Sequence, residues 1–194
     1  MEKMKERLKE LIWKHAFQYS EAPAFKLAHG GVSRFYFNCK KVTLDPEGLY
    51  LVGHLVLDRV KDLRVKGIGG LTLGADPIAA ATAYTSWAQG CPLQAFVVRK
   101  KEKDHGVAAL VEGRLEEGDD VVVVDDVVTT GGSTLRAVEA CRQAGLRVVK
   151  AVVLVDRQEM GGLENIRREV PDVEVLVSRD EIMELHRNMK TVSL

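Results

Sequence analysis

The sequence predicts an α/β fold, a mostly parallel sheet with helices on both faces, and three observations carry that expectation. Runs such as LQAFVV, VVVVDD and LRVVKAVVLVD are almost continuously apolar rather than alternating, as strands buried on both faces must be. Segments of helical pattern lie between them, the order that crossover connections between parallel strands produce. At 194 residues with 46% hydrophobic content, the chain can fill one core, so a single domain over residues 1–194 is expected.

Taken in order, MEKMKERLKELIWKH begins with Met4, Leu8, Leu11, Ile12 and Ala16 at helical spacing, an amphipathic helix lacking the unbroken apolar stretch of a secretion signal. FYFNCKKVTL has strand character. Asp45 before Pro46 is an N-cap with proline in the first turn, opening a helix through about Val60. KGIGGLTLGADP is a short strand running into a glycine-rich turn, and Ile78 to Ala88 continues as a helix that stops near Gly90 and Pro92. LQAFVV is the next strand. From Val98 to Val121 the segment RKKEKDHGVAALVEGRLEEGDD gives only a short strand pair, and connections of that length are usually functional or disordered. VVVVDD is a strand, Ser133 to Ala144 a helix closed by Gly145, and LRVVKAVVLVD a strand again. VEVLVS and RDEIMELHRN add a last strand and helix.

Lysine plus arginine (28) balances aspartate plus glutamate (28), which argues against nucleic acid or a membrane surface as the main partner and makes any cationic site local. Cys39, Cys91 and Cys141 lie far apart with no CxxC pair, against a disulfide framework or a zinc site, and a reducing cytoplasm fits best. No run approaches membrane-spanning length.

The stretch VVVVDDVVTTGGST, Val121 to Thr134, concentrates the chemistry. In open α/β sheets ligands sit at the carboxyl ends of strands, where Asp125 and Asp126 are expected to fall. TTGGST then turns into a helix, so its backbone N–H groups, hydroxyls and helix N-terminus can surround a phosphate while the acids accept hydrogen bonds from ribose hydroxyls. A GxxxxGK[ST] phosphate loop and a GxGxxG dinucleotide motif are both absent. The plainer alternative, Asp126 as a turn cap before an ordinary helix, leaves the attached loop unexplained. RKKEKDHG follows another strand end with Arg99, Lys100, Lys101, Lys103 and His105, cations that can close over a polyanion, although such a run is as often a solvated turn. LVDRQEMGG offers Arg157, able to grip a carboxylate bidentately with Asp156 to orient it. FKLAHGGVSRFYFN sets Phe35, Tyr36 and Phe37 beside a glycine turn; one or two can face a planar ring while the rest fill the core.

Together these segments, from about Phe25 to Gly162, resemble the orotate phosphoribosyltransferases, with K-D-H-G in register within the basic segment. The resemblance implies the type I phosphoribosyltransferase fold, a small N-terminal hood within about residues 1–40 and a mobile catalytic loop over 99–119. It implies transfer of the phosphoribosyl group from phosphoribosyl pyrophosphate to orotate, with Mg2+ held mainly by the pyrophosphate and no direct protein ligand. By position, Asp125 and Asp126 would hold the ribose hydroxyls, and Val127, Val128, Thr129, Thr130, Gly131, Gly132, Ser133 and Thr134 would form the phosphate motif. Arg99, Lys100, Lys103 and His105 would meet the pyrophosphate, partly across a homodimer interface, with Lys103 or His105 a candidate proton donor. Arg157 and Thr129 would bind orotate beside Tyr36 and Phe37. Two departures stand out: Ala28 replaces a lysine found in some members, making Lys26 the candidate substitute, and GGLTLGADP lacks another. The rival readings are a purine-base transferase, which has no carboxylate for Arg157 to clamp, and a sugar-phosphate-sensing regulator, which would carry a basic helix or a nucleic-acid-binding module.

Overall fold

The computed structural model describes residues 1–26, 30–100 and 110–192. Helix α1 (Glu2–Leu11) runs on into a single π-helical turn at Ile12–Ala16, and Leu8, Leu11, Ile12 and Ala16 are buried as their spacing predicts. Two small antiparallel sheets follow. Strand β1 (Phe17–Tyr19) pairs with β4 (Phe35–Phe37), and β2 (Phe25–Lys26) pairs with β3 (Val32–Ser33).

Only the first three residues of FYFNCKKVTL are strand. The rest turns into the short helix α2 (Lys40–Thr43), because Cys39, Val42 and Thr43 are buried at helical spacing. Helix α3 (Pro46–Val60) starts where the sequence predicts, with Asp45 Oδ1 accepting from the backbone N–H of Glu47 and of Gly48, both at 3.0 Å.

The main sheet comprises β5 (Gly67–Leu71), β6 (Gln94–Val98), β7 (Val111–Glu112), β8 (Asp120–Val128), β9 (Arg147–Asp156) and β10 (Val173–Ser178). Their order is β10-β9-β8-β5-β6-β7, and only β7 runs antiparallel to its neighbour. Helices α4 (Ala75–Ala88), α5 (Gly132–Gln143), α6 (Gly162–Glu169) and α7 (Arg179–Val192) complete the chain. Along β8, Val122 and Val124 join one core with residues of α1, α3, α4 and α7, while Val121 and Val123 join a second with residues of α5 and α6. The continuous valine run is thus the mark of a strand buried on both faces. Among the described residues, no helix is long and apolar enough to cross a membrane.

Three departures from the sequence-based expectation bear on the site. Helix α4 begins at Ala75 rather than Ile78. Helix α6 was not expected: only Leu163 and Ile166 of GLENIRRE are apolar, so its pattern is too short to stand out, yet Ile166 is wholly buried. Strand β8 continues to Val128, placing Asp125 and Asp126 inside the strand rather than at its end. Its two neighbours diverge beside them. β5 stays paired only as far as Val123, whereas β9 stays paired to Val128.

Candidate active site

The chain builds the sheet outward through β5 and β6, then returns to the other side of β5 with β8 and continues to β9 and β10. Such a reversal opens a crevice between the carboxyl ends of the two strands where it occurs, here β5 and β8. The turn Thr72–Gly74 leaves β5 on one wall, and Asp125 and Asp126 line the other.

The absence of a side chain at Gly74 lets these walls meet: a Cβ there would collide with the Asp126 carboxylate and force it to shift. Asp125 lies deeper, with Oδ2 accepting from the Thr134 hydroxyl at 2.7 Å and Oδ1 from the Asp126 backbone N–H at 3.0 Å. Burial, and then the neighbouring Asp126 charge, push the Asp125 carboxyl above the usual carboxylate range. Asp126 is met by the Lys40 ammonium, whose Nζ stands 3.3 Å from Oδ2.

Beyond Val127 and Val128, the Thr129–Gly131 turn leads into α5, so the N-terminus of that helix lies next to the carboxyl end of β8. Gly131 caps the helix in the left-handed region, at φ +81°, and offers no side-chain acceptor; the Gly132 N–H donates to Thr130 Oγ1 at 3.4 Å, and the amides of Ser133 and Thr134 are the donors left for an anion. Helix α6 supports this turn from outside, with Asn165 Nδ2 donating to the Thr130 carbonyl at 3.0 Å.

Arg157 follows β9 and is buried. Its Nη2 donates to the Phe35 carbonyl at 2.9 Å and lies 2.7 Å from Glu159 Oε2, while its buried Nε has no partner among the described residues. Glu159 also accepts from the Ser33 hydroxyl at 2.6 Å, so Glu159, not the expected Asp156, orients the guanidinium. Asp156 instead accepts from the Gln158 N–H at 2.8 Å. The turn is held from the far side by Arg179, which donates to the Gln158 carbonyl at 3.3 Å and lies 5.0 Å from the Phe35 ring centre.

Strand alternation separates the aromatic pair expected beside the base. Tyr36 is 39% exposed and stacks on Phe25, whereas Phe37 is 8% exposed and packs in the core on Phe17, with ring centres 5.0 Å apart. Arg99 is half-buried at the end of β6 and pairs with Glu112 at 3.4 Å, and Lys100 is exposed. Lys103 and His105 lie outside the described residues, as does Ala28. Lys26 is exposed on β2. The structure therefore brings Asp125, Asp126 and Thr129 to Thr134 together, with Arg157 on the adjoining strand end. It adds Lys40, Glu159, Ser33 and Gly74, of which only Gly74, in a glycine-rich turn between strand and helix, had a local signal in the sequence.

The profile of the phosphoribosyl transferase domain matches residues 68–173, which hold both walls of the crevice and the α5 N-terminus. The orotate phosphoribosyltransferase of Aquifex aeolicus (strain VF5) is 48% identical over 165 residues, covering 85% of this chain and 90% of that protein. A crystal structure of Mycobacterium tuberculosis H37Rv orotate phosphoribosyltransferase in complex with Fe(III) dicitrate superposes with a TM-score of 0.79 at 34% identity, over 92% of this chain and 98% of that one. A structure of the same M. tuberculosis enzyme in complex with 5-phospho-alpha-D-ribosyl 1-diphosphate gives 0.73 at 31% identity, over 93% and 92%. Agreement over nearly the full length on both sides, in sequence and in fold, makes this chain a member of the orotate phosphoribosyltransferases and its sheet a type I phosphoribosyltransferase fold.

Proposed function

We infer that the chain transfers the 5-phosphoribosyl group of phosphoribosyl pyrophosphate to orotate, forming orotidine 5′-monophosphate and pyrophosphate in pyrimidine biosynthesis. The observation that carries this is the acid pair of β8 facing the Thr72–Gly74 turn, with the α5 N-terminus beside it. The bond from the anomeric carbon to pyrophosphate oxygen breaks, its electron pair leaves with the pyrophosphate, and an orotate ring nitrogen takes the vacated position after losing its proton. Positive charge grows on the ribose as this happens, and Asp125 and Asp126 lie where they can offset it while accepting from the sugar hydroxyls. The amides of Ser133 and Thr134 and the hydroxyls of Thr129, Thr130 and Ser133 suit the 5′-phosphate, and the Gly132 amide can join them by leaving its long 3.4 Å bond to Thr130 Oγ1. Arg157, fixed by Glu159 and the Phe35 carbonyl with its Nε unspent, suits the orotate carboxylate and favours orotate over a purine, which has none.

Magnesium fits this site as a companion of the donor. Among the described residues no group of three or more His, Cys, Asp or Glu side chains lies together, and Asp126, partnered by a single ammonium, is the carboxylate that can face a hydrated ion held by the pyrophosphate. When bound, the ion neutralises pyrophosphate charge. The roles of Arg99, Lys100, Lys103 and His105 at the pyrophosphate rest on the resemblance of the basic segment. Exposed Tyr84 and Trp87, three positions apart on α4, and Tyr50 on the adjacent α3 support a homodimer. The free thiols Cys39, Cys91 and Cys141 support a cytoplasmic setting.

A spectrophotometric assay with magnesium and phosphoribosyl pyrophosphate, run with orotate and separately with adenine, hypoxanthine and uracil, tests the assignment. Turnover of orotate alone is expected, and turnover of a purine without orotate would overturn it.

A further inference from the structure

Lys40, the first residue of α2, lies 86 positions from Asp126 in the chain, yet its ammonium reaches the outer carboxylate of the crevice. The lysine side chain is 45% exposed and that of Asp126 is 12% exposed, so the ammonium stands on the solvent side of the acid, at the mouth rather than beneath it. Asp125 has no such cationic partner: its two oxygens each accept one hydrogen bond, from the Thr134 hydroxyl and the Asp126 amide. The opposite wall offers no cation: the turn after β5 presents Leu73, 56% exposed, next to the glycine that abuts Asp126, and the charge beside it is the Asp76 carboxylate, whose Oδ2 accepts from the Thr72 hydroxyl at 2.7 Å. A ribose hydroxyl donating to Asp126 would compete with Lys40 for the same carboxylate. A half-exposed ammonium on a flexible four-carbon stem is weakly held and free to swing when displaced.

We propose that Lys40 binds the donor by exchanging partners, neutralising Asp126 in the free protein and turning to the pyrophosphate once the ribose hydroxyls take its place. The inference rests on the phosphoribosyl-transfer reading and extends it, since Lys40 supplies the positive charge that the turn at Leu73 lacks. It also makes the two halves of the donor cooperate: the ribose frees the cation that the pyrophosphate receives.

Calorimetric titration of magnesium pyrophosphate and of ribose 5-phosphate, each alone, into the wild-type protein and the Lys40→Ala and Lys40→Arg variants tests this. Lys40→Ala is expected to weaken pyrophosphate binding about 10- to 100-fold, the range of one charge-assisted hydrogen bond, with ribose 5-phosphate affinity unchanged or tighter. Lys40→Arg should keep most of the pyrophosphate affinity, and Leu73→Lys added to Lys40→Ala should recover part of it. Equal loss of both ligands would show that Lys40 only places Asp126, and unchanged binding of both would remove it from the site; either result overturns the proposal. A wild-type protein that binds neither ligand would instead overturn the phosphoribosyl-transfer reading on which it stands.

Discussion

Gly74→Ala isolates the contact between the two walls of the crevice. The added Cβ would stand 2.7 Å from Asp126 Cγ and closer still to Oδ1, whereas ordinary contact begins near 3.4 Å, so the carboxylate must retreat by the better part of an ångström. The three nearest atoms all belong to the Asp126 side chain and none to the backbone, so the fold can yield by turning that one group. The stability cost should accordingly sit at the low end for overpacking, about 1 kcal/mol. The catalytic cost should be much larger, because a group misplaced by about 1 Å at a reacting centre can cost about 100-fold. Thermal melting and the orotate absorbance assay, with kcat and the KM for each substrate, measure both. A variant that melts a few degrees low and loses roughly 100-fold in kcat/KM for the donor would fit this account. Full activity with an unchanged donor KM would refute the placement of Asp126 against the reacting sugar.

Three further outcomes are expected, those for Arg157 and Asp125 from the geometry and that for Lys103 from the resemblance of the basic segment. Arg157→Ala should raise the orotate KM by about 10- to 100-fold with less effect on the donor KM, and an unchanged orotate affinity would take Arg157 out of the base site. Lys103→Ala should lower kcat far more than it weakens orotate binding, as a cation acting on developing pyrophosphate charge would; small equal losses in both would count against that role. Asp125 is held above its unfolded value by burial, so between about pH 4 and its raised folded value the folded chain binds more protons than the unfolded one. Stability contributed by this group is therefore present below that window and lost as the pH rises through it. Asp125→Asn should flatten the slope of melting temperature against pH there and melt higher than wild type on the alkaline side, while losing activity; an unaltered slope would contradict the assignment.

Much of the architecture was legible because it is written locally. The valine runs carry the mark of double burial, Asp45 and Pro46 mark where α3 begins, and TTGGST marks the start of α5. What escaped depends on packing between distant segments. FYFNCKKVTL has the composition of a strand, and only the neighbours that bury Cys39, Val42 and Thr43 turn its second half into a helix. Alternation predicts that Tyr36 and Phe37 face opposite ways but not which faces the core; the contact with Phe17 decides that. The partner of Arg157 is Glu159, two residues after it, rather than the adjacent Asp156, in a turn where Gln158 and Met160 both adopt left-handed backbone, at φ 52° and 56°. The meeting of Lys40 with Asp126 leaves no periodic trace at all.

The bond from Arg157 to the Phe35 carbonyl, with Glu159 bridging to Ser33, fastens the N-terminal segment to the strand end where the base is expected to lie. One guanidinium thus ties the strand that carries Phe35 to the turn that carries Glu159. On the proposed role of Arg157, a substitution that alters how the carboxylate is recognised should also loosen the N-terminal segment, and a change at Ser33 should be felt in the choice of base. On that reading, selectivity and enclosure evolve here as a single trait.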